Sequence, residues 1–536
     1  MHGVETGPRA AAGVRSSTLA LRLLQAGAIA VVLVSAPYKT FDLDRFFVPK
    51  ELVLHVTALL VTLLCLARAR RFSLARTDQL LALWLVLGAL SALFATNGWL
   101  AARAVSLSLG GVACFWSARA LARRNSSRPL VAALAFAGVV GAATALLQAY
   151  GMTTELFSLN RAPGGTFGNR NFMAHLCAIT FPALLYSGLR APSRAAFTRW
   201  CYGAALVAAA LILSRSRAAW LALLVGLVVL VVAGAIALRR RDDSLRLMRL
   251  FVLVAAAVAG AGAALVIPNT LDWKSASPYL DTANSIVNYK GGSGHGRLIQ
   301  YGNSLRMSLR HPLLGVGPGN WPVIYPRFAS DNDPSLGQNG MTSNPWPSSD
   351  WITYLTERGM VALGLMMLAL LGLALDGVRG LRGETSTEER LTSAVLLSTL
   401  ALLVTVGTFD AVLLLPIPAL IGFALLGALS ARSRERKLIE LTIPRRLLAI
   451  LVVAILGGLS VARSSTQLAA MAVYSTGSRG SVLERASALD PGSFRIHARL
   501  AESYARRGDC VRATRHAIAA KRLFPSAPRR LVTGCG

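Results

Sequence analysis

Apolar residues in this chain gather into runs of about 18 or more, and runs of that length read as transmembrane helices. Thirteen are predicted, near 22–37, 51–67, 79–95, 101–122, 129–149, 171–189, 201–213, 218–238, 249–267, 359–378, 391–409, 411–430 and 446–463. The run at 201–213 is short, which suggests a broken or tilted element. One stretch interrupts the rhythm. Residues 268–358 form a polar segment between apolar runs, far longer than the usual handful of residues in a helix connection. The expected fold class is an all-α polytopic membrane protein with one large hydrophilic loop.

Composition and charge sharpen this picture. Of the 536 residues, 54% are hydrophobic and only 15% charged, yet the net charge is +31. A soluble protein so basic would suggest nucleic acid as partner. Here most Lys and Arg cluster in short loops at alternate ends of the apolar runs, the positive-inside pattern, and no nucleic-acid partner is expected. The basic loops ARARRFSLAR, RRNSSR, RAPSRAAFTRW, RRRDDSLRLMR, VRGLRGETSTEER and RSRERK all fall on one side, which is therefore read as cytoplasmic. An odd number of spans places the N-terminus inside and the C-terminal tail outside. No convincing cleavage site follows the basic N-terminus, so the first run is read as a span. The predicted division is a cytoplasmic segment 1–20, a membrane domain 21–464 and an exterior tail 465–536. The six cysteines include no CxxC pair, so a zinc or iron–sulfur site is not expected.

Candidate chemistry collects on the exterior side. Arg215 and Arg217, in SRSRAAW, break the charge bias at the mouth between two spans. Arginine near hydrocarbon is costly and usually pairs or lines a cavity, although it can also snorkel to lipid phosphates. Arg297 opens GRLIQYGNSLRMSLRHPLLGVGPGNW, in which Leu298, Tyr301, Leu305 and Leu309 recur at helical spacing. That spacing predicts an amphipathic helix lying at the membrane surface, ended by His311 and Pro312. The glycines that follow lack the Lys-Ser/Thr of a phosphate-binding loop. Asp350 stands at a predicted helix start, as a capping residue or as a base near the membrane surface. Asn169, Arg170 and Asn171 begin another span, as a capping turn or as part of an anion site at a helix N-terminus.

Four segments in order, GGTFGNRNFMAHL (164–176), SRSRAAWLALLVGL (214–227), the run from Gly296 to Trp321, and SDWITYLTERGMVALGL (349–365), resemble the O-antigen ligase and polymerase superfamily. The stretch FDLDRFFVPKELVL (41–54) adds to the likeness, which covers roughly residues 20–430. The resemblance implies a glycosyltransferase of the bacterial inner membrane that works without metal or other cofactor. Its donor would be an undecaprenyl-pyrophosphate-linked glycan at the periplasmic face. Its acceptor would be a hydroxyl of lipid A–core, of another lipid-linked glycan, as in a polymerase, or of a protein, as in a protein O-oligosaccharyltransferase. By motif, Arg217 and Arg297 match the family's pyrophosphate-binding arginines, and Arg215 would assist. The family's proposed base is the histidine of a His-Asn pair, where this chain has Ser348-Ser349. Asp350 is the expected substitute. His295 or His311 are alternatives, and an inactive scaffold is a third.

In the tail, Leu500, Ala501, Tyr504, Gly508, Ala513, Ala517, Ala520 and Pro525 match the spacing of one tetratricopeptide repeat. One such unit cannot bury its faces alone, so the tail is expected to pack on the membrane domain, on a protein partner or on a second copy. Cys510 and Cys535 would face an oxidising compartment, where a disulfide can form.

Overall fold

The computed structural model describes residues 8–238, 244–284, 292–337, 339–383, 386–431, 437–527 and 535. It is an all-α bundle. The membrane domain begins with α1 (Pro8–Leu33), α2 (Asp44–Ala67), α3 (Arg76–Ala92), α4 (Gly98–Leu121), α5 (Ser127–Ala149) and α6 (Arg170–Leu189). It continues with α7 (Arg194–Ser214), α8 (Arg217–Leu238) and α9 (Ser244–Val266). The large loop carries α10 (Pro278–Asn284), α11 (Gly292–Arg310) and α12 (Trp321–Ile324). Then come α13 (Asp350–Arg382), α14 (Thr387–Phe409), α15 (Pro416–Ser430) and α16 (Ile443–Ser475), and the tail forms α17 (Gly480–Leu489), α18 (Phe494–Ala505) and α19 (Cys510–Leu523).

Each of the thirteen predicted runs contains a helix, although some run ends, among them 34–37 and 411–415, lie outside it, and ten of these helices are long and apolar enough to span a bilayer. The apolar part of α1 (Thr18–Leu33), α15 and the 17-residue α3 are shorter. Three expectations change. The run at 201–213 is neither short nor broken: α7 has 21 residues and starts at Ser193, whose Oγ accepts from the Ala196 N–H (3.1 Å). Its first turns hold Arg194, Thr198 and Arg199, which conceal their helicity in an apolar-run search. The tenth run begins earlier, at Asp350, and passes through a break at Gly359. The boundary at 464 falls inside α16, which continues to Ser475.

The two ends of the bundle sort as the charge pattern predicts. Two basic loops pair as antiparallel strands, β1 (Arg71–Leu74) with β2 (Lys437–Glu440). At the same end Arg190 pairs with Glu388 at 2.6 Å. At the other end Thr270 donates to the Ala149 carbonyl (2.9 Å), and Asn320 is bonded both ways to the Asn97 backbone.

The loop residues 312–321 are bound to the break in α13. Gly359 has φ 82°, and a Cβ there would lie 2.0 Å from the Leu313 carbonyl oxygen. Only glycine accepts that conformation and approach without strain. The break frees backbone groups that the strap takes up. Val316 donates to Thr356, Gly317 to Glu357, and Met360 to Pro312. The Glu357 carboxylate accepts from the N–H groups of Gly319 (2.7 Å) and Trp321 (3.1 Å).

The tail buries Leu483, Ile496, Leu500, Tyr504 and Ala513 against Ala470 of α16. It also docks on the exterior loop. Phe524 packs on the cluster around Trp321 and Tyr325, and the Leu523 carbonyl accepts from Asn97 Nδ2 (3.3 Å). Cys510 and Cys535 are joined as a disulfide.

Candidate active site

The polar mouth is built around the first turns of α6. Asn169 caps that helix, its Oδ1 accepting from the Asn171 N–H (2.9 Å). Asn171 occupies the first turn. Arg170 lies over the Trp273 ring at 4.7 Å, and Arg215 lies at 4.7 Å from the same ring. Each such contact is worth roughly 0.5–2 kcal/mol, which holds two like charges near one another. Arg215 ends α7 in a left-handed conformation, φ 53°, and its Nε donates to Thr282 Oγ1 (2.8 Å). That reversal makes the α7–α8 connection very tight, and Arg217 opens α8 immediately after it. The Trp273 indole N–H is buried without a partner.

Arg297 reaches the mouth from α11. Four residues on, the Tyr301 hydroxyl donates to the carbonyls of Ser348 and Thr408 (3.3 Å to the latter). Residues four apart share a helix face, so this anchor sets Arg297 beside the turn that follows α14. Its charge reaches His175 of α6. Among the described residues Arg297 makes no hydrogen bond or ion pair. The buried side of α11 is polar: Gln300, Asn303 and Ser304 bond to Ser335, Asp333 and Trp321. Leu298, Leu305 and Leu309 are exposed, as a helix lying on a membrane surface requires.

His175 is only 1% exposed, and neither ring nitrogen has a hydrogen-bond partner. Its Nε2 lies 3.8 Å from Asp410 Oδ2. Asp410 Oδ1 accepts from the Ala411 N–H (2.9 Å), so one carboxylate oxygen is left toward the ring. A small cleft, with room for about one water-sized group (about 10 Å³), lies here, lined by Phe47, Lys50, Phe167, Phe172, His175 and Pro416 among others. Lys50 donates to the Val32 and Val34 carbonyls at the end of α1.

Asp350 has a different setting. It is fully buried, and its two oxygens accept from the N–H groups of Val412 and Leu413, each at 2.9 Å. It ties the start of α13 to the 410–415 turn and presents no free edge to an incoming hydroxyl. Ser349 is the helix cap, its Oγ accepting from Ile352 and donating to Gly407. Ser348 is held by its backbone, donating to Gln300 Oε1 (2.7 Å). His295 is exposed, and His311 is exposed beyond the opposite end of α11. At 1.5 Å per residue His311 stands roughly 20 Å from Arg297 along the axis.

The structure thus brings Arg297, His175 and Asp410 together, and Arg170, Arg215 and Trp273 together, at one end of α6. His175 and Asp410 were not among the predicted site residues. The signal that points to His175 is an ionisable side chain inside an apolar run, which is costly without a use; Asp410 stands between two runs and carries no such signal.

Residues 202–367 match the family described as O-antigen ligase. That segment runs from α7 through the exterior loop into α13 and contains Arg215, Arg217, Arg297 and Asp350. None of the curated proteins compared with the chain matches it.

Proposed function

We propose that this multi-pass chain, whose residues 202–367 match the family described as O-antigen ligase, acts as a member of the O-antigen ligase and polymerase superfamily and transfers an undecaprenyl-pyrophosphate-linked glycan to an acceptor hydroxyl. The reaction takes place at the periplasmic face of the inner membrane, by direct displacement with inversion at the anomeric carbon. The observation that carries this reading is Arg297, a guanidinium anchored through Tyr301 at the outer mouth with no hydrogen bond or ion pair of its own among the described residues.

The leaving pyrophosphate gains negative charge as the glycosidic bond breaks. Arginine keeps its charge and offers paired donors suited to phosphate oxygens. Arg297 and Arg217 bind the pyrophosphate in this scheme, with Arg215 assisting from the Trp273 stack. The first turn of α6, with Asn169 and Asn171, adds the positive end of a helix dipole. Asp350 acts as an anchor of the 410–415 turn.

The test is Arg297→Ala in cells lacking the native gene, with surface glycan and carrier-linked glycan measured together. Loss of surface glycan with accumulation of the carrier-linked form is expected. Long accumulated chains indicate ligation, and single repeats indicate polymerisation. Unchanged surface glycan would refute the reading.

A further inference from the structure

A neutral-sized ring buried to 1% exposure with both nitrogens unbonded is an expensive arrangement. An unsatisfied buried polar group costs roughly 1–3 kcal/mol. Three features beside it explain what the vacancy serves. The ring of His175 lines a small cleft with room for a hydroxyl-sized group. A carboxylate, Asp410, stands 3.8 Å from its Nε2. The guanidinium of Arg297, which makes no ion pair among the described residues, is near enough to act on it electrostatically.

We propose that His175, supported by Asp410, takes the proton from the acceptor hydroxyl, and that the cleft between α2, α6 and the 410–415 turn seats that hydroxyl. This rests on the transfer reaction proposed above. The acceptor oxygen attacks the anomeric carbon and forms the new C–O bond. The bond from that carbon to the pyrophosphate oxygen breaks, and its electron pair leaves with the pyrophosphate against Arg297. The acceptor proton moves to His175 Nδ1. Nε2–H of the resulting imidazolium faces Asp410 Oδ2, which balances its charge until the proton passes to water.

The surroundings suit this task. Phe47 and Phe172 wall the cleft, and Trp346 packs on both, with ring centroids 5.4 and 6.3 Å away. Water excluded by such a wall cannot compete as acceptor, and charge interactions inside it strengthen. The ionisable groups facing His175 are Asp410 from the α14–α15 turn, Arg297 from α11 and Lys50 from α2, with Arg170 five residues earlier on α6 itself.

The experiment uses the full chain, expressed in cells that lack it, with their membranes supplying both glycan donor and acceptor. Transfer is followed from pH 5 to 9, and the purified variants are titrated with undecaprenyl pyrophosphate. His175→Gln is expected to bind undecaprenyl pyrophosphate within about twofold of the parent while transfer falls about 10²–10⁴-fold, the usual scale of general-base loss. Asp410→Asn is expected to lower transfer about tenfold and to move the acid limb of its pH profile to lower pH, because the carboxylate that favours the imidazolium is gone. His175→Gln retaining more than half of parental transfer overturns the proposal. So does an Asp410→Asn profile identical to the parent, and this second variant decides if His175→Gln does not fold. Arg297→Ala that keeps both binding and transfer removes the donor reading instead, so the two failures are told apart.

Discussion

Glu357 and Arg297 both sit at the outer end of the bundle, and the fold treats them in opposite ways. Around Glu357 the polar groups close on one another. The carboxylate accepts two strap N–H groups, and the carbonyls freed by the Gly359 break are taken by Val316 and Gly317. Asp350 follows the same plan with Val412 and Leu413. Arg297 makes no hydrogen bond or ion pair among the described residues, and the buried ring of His175, which lines the cleft, has no hydrogen-bond partner on either nitrogen. Burial of polar groups is tolerated where they are paired and costly where they are not. The closed set explains how the loop is held. The open set is the one that the proposed transfer would use.

The contrast can be broken at either half. The largest effect is expected from Arg297→Ala. Transfer should fall about 10²–10³-fold, the scale for removing one donor aimed at developing charge. Its thermal midpoint should match that of the parent, and a shift of several degrees would place Arg297 with the structural groups instead. Next comes Glu357→Ala, which strands the N–H groups of Gly319 and Trp321 and should destabilise the protein by ~3 kcal/mol. A chemical or thermal melt of the purified protein measures it, with transfer per folded molecule unchanged. Asp350→Asn should cost ~1–2 kcal/mol, since an amide replaces one of two acceptors. Its pH–rate profile should keep the parental shape. Disappearance of the acid limb in this variant would give Asp350 the role of base. The smallest effect is expected from Leu305→Ser with Leu309→Ser, within about 0.5 kcal/mol in a detergent melt because both side chains are exposed. The same pair should weaken contact of α11 with lipid, measured by fluorescence of a probe attached to that helix in vesicles.

The spans were legible because a run of twenty apolar residues has few other meanings. Loop polarity gave their sorting for the same reason: Arg71 and Lys437 lie far apart in sequence, yet both are basic loop residues and end in one ribbon. The start of α7 was hidden by Arg194 and Arg199. Arg215 and Arg217 stood out as cations that break the charge bias, and Arg297 through the motif that it opens. The setting of Asp350 was not legible, because a helix-start aspartate looks the same whether it caps its own helix or binds a loop about sixty residues away. His175 lay within a quoted motif but reads locally as one polar residue among apolar ones. Its neighbour Asp410 is more than two hundred positions distant, and no local spacing relates them.

The β1–β2 ribbon has a mechanical consequence. It fastens the α2–α3 turn to the α15–α16 turn through four residue pairs, and Leu441 adds a further bond to Arg70. The bundle is therefore clasped at its basic end like a clothes-peg at its spring. Any parting of these helices is expected to be widest at the opposite rim.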